Sequence, residues 1–516
     1  MIMKKISRYI IKIIVVAVIF SISGCDKGFT ELNINKVDPT SMNPYLQMNS
    51  AIIGVFPDTQ AWPVWQYAIV QQILTPTGTS VQGANYNQIT YGFPTYSMIW
   101  GYYTNSFKNL VDVIESTKDD PKRQNVYNCA RIFKAYVSMS ITDTYGDCPY
   151  FEAGKGYLEG IKFPVYDKQQ DIYMDLLKEL EEASLSLDPA AYTSKEDIMY
   201  AGNIAQWKKL GYSLMLRAAM RLVKVDPTTA ETWAKKAIAG GLMQSNKDNA
   251  VLRHSSLYIN YNGYMFSGRE YATFYLCKPF VDHLKSTNDP RLPKYAMRYK
   301  GAKSGAEYTL SRLTSDPADM IGIPVGYDNI TILTRLAIDG VASRYDYSLA
   351  NIRTVLQVTS PEYFVTYGQT QLLLAEAIVR GWATGDAADV FETAVRANLQ
   401  QLSEYGPTAA IADADIETFV SSHPLQAGQE IEHINTEYWV ASFLNGSELW
   451  SNFRRSGYPA LEPNPYPGSE VPGDFAHRLP YPSAEYVVNL SNVEAANTRQ
   501  GPDVIKTRVW WDKNLK

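Results

Sequence analysis

Apolar side chains recur every three or four residues through Trp207, Leu210, Leu214, Ala218 and Leu222, a spacing that puts all five on one face of a helix and on no face of a strand. Such a stripe must be covered by a neighbour. A partner follows at once: Asp226-Pro227 starts a second helix with proline in its first turn, and Ala230, Trp233, Ala234 and Ala237 carry a matching stripe. The pairing recurs downstream, where Tyr367 to Arg380 reads as a helix centred on Leu372-Leu373-Leu374-Ala375, Gly381 and Gly385 break it, and Ala387, Phe391 and Ala394 mark its partner. A third pair joins residues 125–141 to residues 169–186, with Ile172, Leu176, Leu180 and Ala183 as the buried stripe.

Trp207-Lys208-Lys209-Leu210-Gly211 fits the W-x2-L-G opening of a tetratricopeptide repeat, and the Ala387 to Ala394 spacing fits that repeat's second helix. Each hairpin hides its apolar face only by stacking on the next. The expected fold is therefore mainly α: tetratricopeptide-like helical hairpins forming a scaffold, with long irregular loop-rich segments. Those segments are residues 241–360, where Gly, Pro, Asn and Tyr interrupt any period, and the Pro-rich residues 456–482. Long loops held by a rigid scaffold are where binding is expected.

The first residues bear on compartment. Lys4, Lys5, Arg8 and Lys12 precede and enter an apolar run ending at Ile22, and Ile22-Ser23-Gly24-Cys25 reads as a bacterial lipobox. Residues 1–24 are expected to be a signal peptide, and Cys25 the lipidated first residue of the mature chain. Residues 25–44, polar and helix-poor, suit a tether, and residues 45–516 a single globular domain. Several acyl chains would make the anchor effectively permanent. Loss of residues 1–24 removes four positive and no negative charges, taking the net charge from −5 to −9, which disfavours nucleic acid as a partner. Cys129, Cys148 and Cys277 allow at most one internal disulfide, contain no CxxC and are expected as buried thiols.

No GxSxG, HExxH, Walker or GxGxxG motif is present, and His254, His283, His423, His433 and His477 stand singly along the chain. Each is expected to be structural. Asp143 and Asp147 are the nearest candidates for a carboxylate pair, yet the turn around Gly146 and Pro149 uses aspartate for local backbone bonding. The chain is not expected to be an enzyme. It shows no Asp-x-Asp-x-Asp-Gly loop, and no metal or cofactor is expected beyond the lipid on Cys25.

Tyrosine is abundant, at 37 residues, with 10 tryptophans. Flat rings stack on the C–H faces of sugars while amides and carboxylates bond the hydroxyls. Two segments combine these groups: Tyr86 to Trp100, with Tyr86 and Tyr91 as candidates, and Tyr258 to Tyr264, reading YINYNGY, with Tyr258, Tyr261 and Tyr264. Trp62, Trp65, Trp100, Tyr102 and Tyr103 lie in helix-like stretches and are expected to pack between helices.

A series of motifs along nearly the whole chain resembles the SusD/RagB family. Asp143-Thr144-Tyr145-Gly146-Asp147-Cys148-Pro149-Tyr150 is similar to its Asp-x-Tyr-Gly-x-x-Pro-Tyr signature, followed by Pro164 to Asp167 and by Trp207, Lys209, Ser213, Leu214 and Arg217. Further on come Asp289-Pro290-Arg291-Leu292, Leu374-Ala375-Glu376-Ala377, the run NGSELWSNFRRSGYP from Asn445 to Pro459, Arg478 to Pro482, and Trp510-Trp511-Asp512. Most of these residues read as fold-holding, Tyr145-Gly146 as a turn and Arg454-Arg455 as packing or salt-bridge residues. The resemblance implies a lipid-anchored nutrient-binding protein on the extracellular side of an outer membrane. It would be the lid of a TonB-dependent transporter of SusC/RagA type, with glycans as cargo. The alternatives within this reading are an oligopeptide-binding lid and a scaffold protein that binds partners only.

Overall fold

A computed structural model describes residues 42–55, 66–78, 81–87, 99–269 and 271–513. The expected signal peptide, Cys25 and nearly all of the expected tether lie outside these residues. Everything that follows concerns the unit from Pro44 onward.

Thirteen helices of nine or more residues dominate the described part. They are α1 (Pro44–Ile53), α2 (Lys108–Thr117), α3 (Gln124–Tyr145), α4 (Gln169–Ser186), α5 (Ile204–Arg221), α6 (Pro227–Gly240), α7 (Lys278–Ser286), α8 (Tyr367–Val379), α9 (Ala387–Gln401), α10 (Asp413–Ser422), α11 (Glu430–Ala441), α12 (Gly446–Ser456) and α13 (Leu490–Gln500). The three expected hairpins are α3/α4, α5/α6 and α8/α9, and each packs on the next through α4 against α5 and α5 against α8. Helix α12 closes the array by contacting both α11 and α3. Among the described residues no helix is long and apolar enough to cross a membrane.

Local chemistry sets the helix ends. Asp226 accepts from Thr229 N at 3.1 Å to cap α6, with Pro227 in the first turn, and Asn203 caps α5 by accepting from Gln206 N at 3.3 Å. Thr366 and Gln369 form a reciprocal capping box at the start of α8. Gly146 ends α3 at φ +80°, where a Cβ would meet the Gln500 side chain at 2.2 Å, so the turn after Tyr145 needs glycine.

The one-faced stripe read on α5 is only part of its burial. Trp207, Leu210, Leu214 and Ala218 are buried, but so are Tyr212, Ser213, Met215, Leu216, Arg217, Met220 and Arg221. Helix α5 is enclosed because α4, α6, α8 and α3 all pack on it, whereas α6 buries only Ala230, Ala234 and Ala237. Enclosure of arginines on α5 demands partners. Arg221 donates to Glu448 at 2.5 Å and to Asp143 at 3.2 Å, and Arg217 donates to Gln369 at 2.9 Å. Further charged centres sit inside: Arg291 with Asp289 and Glu437, and Arg455 with Glu376, at 2.5–2.8 Å.

The β-structure is slight and lies mainly in the irregular part. Ala250–Leu252 pairs antiparallel with Glu362–Val365, Leu252 opposite Glu362. Ala296–Tyr299 is the central strand of a three-stranded sheet, flanked by Leu313–Thr314 and Leu349–Ala350. Cys129, Cys148 and Cys277 are buried free thiols.

Candidate functional site

The Tyr258–Tyr264 segment is a surface loop fastened from beneath. It leaves the strand Ala250–Leu252, and the neighbouring strand supplies Glu362, whose carboxylate accepts from Asn262 Nδ2 at 2.9 Å and lies 3.0 Å from His254 Nε2. The His254 ring carries the Tyr258 ring face to face at 4.8 Å and 21°. Burial, and secondarily the Glu362 charge, push the Tyr258 hydroxyl up to about 12, so it stays a neutral hydrogen-bonding group.

Asn260 then pins the backbone. Its N–H donates to Val358 O at 2.7 Å, its side-chain amide donates to Ser360 O at 2.9 Å, and its Oδ1 accepts from Gly263 N at 2.8 Å, capping the short helix Tyr261–Tyr264. Gly263 lies so near the opposite segment that a Cβ would stand 2.3 Å from Gln357 O. The result is a mounted aromatic edge. Tyr261 is half-buried, Tyr264 is 42% exposed, their rings are 5.8 Å apart, and Leu257 and Ile259 of the same segment are exposed. The structure thus brings Tyr258, Tyr261 and Tyr264 together on one fixed loop.

Tyr86 belongs elsewhere, and the expectation that it offers a ring to ligand is corrected. It is 1% exposed, at φ +50°, with its hydroxyl donating to Ile69 O at 3.3 Å and its carbonyl accepting from Glu470 N at 2.8 Å. Backbone pairing turned the ring inward. Tyr91, Trp62 and Trp65 lie outside the described residues. Trp100, Tyr102 and Tyr103 pack as expected, Trp100 touching the rings of Tyr103, Tyr145, Tyr166 and Tyr481 at 5.0–5.9 Å.

A second tyrosine group escaped the sequence reading. Tyr299 and Tyr308 stack at 4.3 Å, and Tyr271 and Tyr345 meet Tyr308 edge-on at 6.0 and 6.2 Å. Tyr271 is exposed and the others are half-buried. These residues come from four separate segments, and no local spacing in the sequence announces them.

The carboxylates weighed for catalysis are structural. Asp143 accepts from Trp511 Nε1 at 2.9 Å, from Arg221 and from Tyr173, all in the interior. Asp147 accepts from Gln169 N and Arg499 Nε, each at 3.0 Å; burial nevertheless holds its carboxyl above the usual aspartate range.

The histidines are not all single. His423 and His433 meet Nε2 to Nε2 at 3.1 Å between α10 and α11, against Phe391 and Phe419. His433 Nδ1 accepts from Gln426 N at 3.2 Å, so the neutral ring carries its proton on Nε2 and donates it to His423. That arrangement uses the lone pair a metal would need. Among the described residues no group of three or more His, Cys, Asp or Glu suits a metal ion.

Residues 36–482 match the protein family described as SusD-like, starch-binding associating with outer membrane. No curated protein matches the chain. Among solved structures, it is similar to a chitin-binding protein at 32% identity and TM-score 0.80, over 92% of this chain and 100% of that one. It is similar as well to a SusD-like protein of Bacteroidetes AC2a at 28% identity and TM-score 0.79, over 92% and 100% of the two chains. A SusD homolog from Bacteroides uniformis shares the fold at 22% identity and TM-score 0.74, over 91% and 99%.

Proposed function

The chain belongs to the SusD-like family, and from that membership we propose that it is a surface-exposed lipoprotein that binds nutrient oligosaccharides and acts as the lid of a TonB-dependent outer-membrane transporter. In this reading the acylated Cys25 anchors it on the extracellular side, and the partner barrel is of SusC/RagA type. It binds cargo without cleaving it.

The observation that carries the ligand assignment is the mounting of Tyr258, Tyr261 and Tyr264. Asn260 and Gly263 fasten their loop to residues 357–360, so the rings are ordered before ligand arrives and little conformational entropy is lost on binding. Their faces suit the apolar side of pyranose rings, and the phenol groups supply hydrogen bonds at the ring edge. The 32%-identical relative is a chitin-binding protein. Chitooligosaccharides are therefore the first ligands to test.

Calorimetric titration of the mature protein with a chitooligosaccharide should give saturable binding, weakened about tenfold or more in the Tyr261→Ala/Tyr264→Ala double variant with an unchanged thermal midpoint. An unaltered affinity in that variant removes the loop from the site. The lid role is tested by mild-detergent purification from the native outer membrane: a barrel at near-equal amounts is expected, and recovery of the protein alone would count against it. Mass spectrometry of the N-terminal peptide reads the lipid on Cys25 directly.

A further inference from the structure

Four segments line a groove of about 600 Å³ that includes no residue of the tyrosine loop: Asp147 after α3, Lys168 to Gln170 at the start of α4, Arg499 and Gln500 at the end of α13, and Arg508, Val509, Trp510, Asp512 and Lys513. That volume is within the range of small-ligand sites. Its lining holds Lys168, Arg499, Arg508 and Lys513 against two carboxylates, Asp147 and Asp512, in a chain whose net charge is −5. Both carboxylates are already engaged, Asp147 by Arg499 at 3.0 Å and Asp512 by His477 at 2.6 Å and Arg508 at 3.0 Å. Exposed Lys168 and Lys513 form no ion pair with another described residue.

Excess positive charge is thus gathered in one concave place on an acidic protein, where it attracts anions more strongly than scattered surface lysines do. The charge comes from side chains; the first N–H of α4 is already capped by Asp147. Trp510, half-buried, adds an indole to the wall, and exposed Gln170 adds an amide. An aromatic face beside cations and an amide differs from a site for a bare ion. It suits a pyranose that carries a carboxylate.

We propose that this groove is a second ligand site, for an oligosaccharide bearing uronic-acid carboxylates. Trp510 takes the C–H face of one sugar, Gln170 a hydroxyl, and Lys168 and Lys513 take the carboxylates. The site stands apart from the neutral-glycan reading of the tyrosine loop, and each can fail alone.

The test is titration of the mature protein with oligogalacturonate, with chitooligosaccharide and polyglutamate as comparators. Oligogalacturonate should bind, more weakly as salt rises. Lys168→Glu/Lys513→Glu, two exposed positions, should weaken it about tenfold or more. Trp510→Ala should weaken oligogalacturonate while leaving polyglutamate unaffected, and Trp510→Phe, which keeps a ring, should restore most of the loss. The Tyr261→Ala/Tyr264→Ala variant should keep its oligogalacturonate affinity while losing chitooligosaccharide. The proposal is overturned if oligogalacturonate does not bind, if the charge reversal leaves it unchanged, or if polyglutamate binds equally well and competes, which would make the groove a charged surface without sugar recognition.

Discussion

The interior ion pairs and the tyrosine loop are built on opposite terms. Arg221, Arg291 and Arg455 are at most 1% exposed, and each is held by at least one carboxylate from a distant part of the chain: Arg221 by Asp143 and Glu448, Arg291 by Glu437 beside its near neighbour Asp289, and Arg455 by Glu376. In the loop, by contrast, buried Asn260 and Gly263 fix the backbone while Tyr264 is exposed and Tyr258 and Tyr261 are half-buried at the surface. Asp143, Asp289, Arg291, Glu376, Glu448 and Arg455 of the first set lie in the family motifs, and no residue of the tyrosine loop does. The motifs record what it takes to enclose charge between helices, and they do not reach the loop proposed to meet cargo.

Removing one partner of an interior pair should have the largest effect. Arg455→Leu removes the interior partner of buried Glu376, leaving it only the partly exposed Arg380 at 2.8 Å, and should cost up to about 3–5 kcal/mol by chemical denaturation, whereas the Arg455→Leu/Glu376→Leu double variant should recover part of the loss. A single variant as stable as the parent would show that water reaches the site. The same pair gives an acid limit. Burial raises the Glu376 carboxyl, but Arg455 and Arg380 outweigh it and hold the group at about 2, below its ordinary 4.5. Its folded pKa is depressed, so its stabilisation is present above pH 4.5 and is lost as pH falls from there toward 2.

Gly263→Ala crosses the comparison, because its added methyl meets Gln357 O and the Val358 backbone. It should cost about 1–3 kcal/mol and also weaken glycan binding, since the tyrosines move with the loop. A loss of stability with full affinity would detach the platform from its mounting.

The histidine pair predicts a smaller, pH-limited effect. Burial and the neighbouring His423 lower His433 to about 4 from 6.5, against the pull of Glu437. A lowered histidine favours the folded state fully above pH 6.5 and progressively less as pH falls toward 4, by of order 1 kcal/mol given its partial exposure. His433→Phe should flatten the thermal midpoint between those pH values; an unchanged slope would place the titration elsewhere. At the other end, Lys235→Ala breaks an exposed pair with Glu231 and should change stability by less than about 0.5 kcal/mol.

Much of the scaffold was legible along the chain. The stripes at 207–222, 227–237, 367–380 and 387–394 recur as α5, α6, α8 and α9, because a helix buries what lies three or four residues apart and that spacing is written locally. What the stripe on α5 did not announce was its near-complete enclosure, since the partners of Arg217 and Arg221 come from α8 and α12, far along the chain. The site was less legible. Tyr258, Tyr261 and Tyr264 were within reach because they share one short segment, whereas Tyr86 and Tyr258 looked alike in sequence and ended on opposite sides of the surface. The group Tyr271, Tyr299, Tyr308 and Tyr345 and the cationic groove around Trp510 join segments far apart in the chain, and the His423–His433 contact, between residues only ten apart, depends on how α10 and α11 fold back on each other.

The sequence by itself determined the helical hairpins, their caps and the family motifs, because each depends on residues within a few turns of one another. The tertiary structure alone decided which arginines became interior, which tyrosines faced outward and where positive charge collected. Burial and charge pairing depend on what the rest of the chain brings alongside, and local spacing does not carry that information.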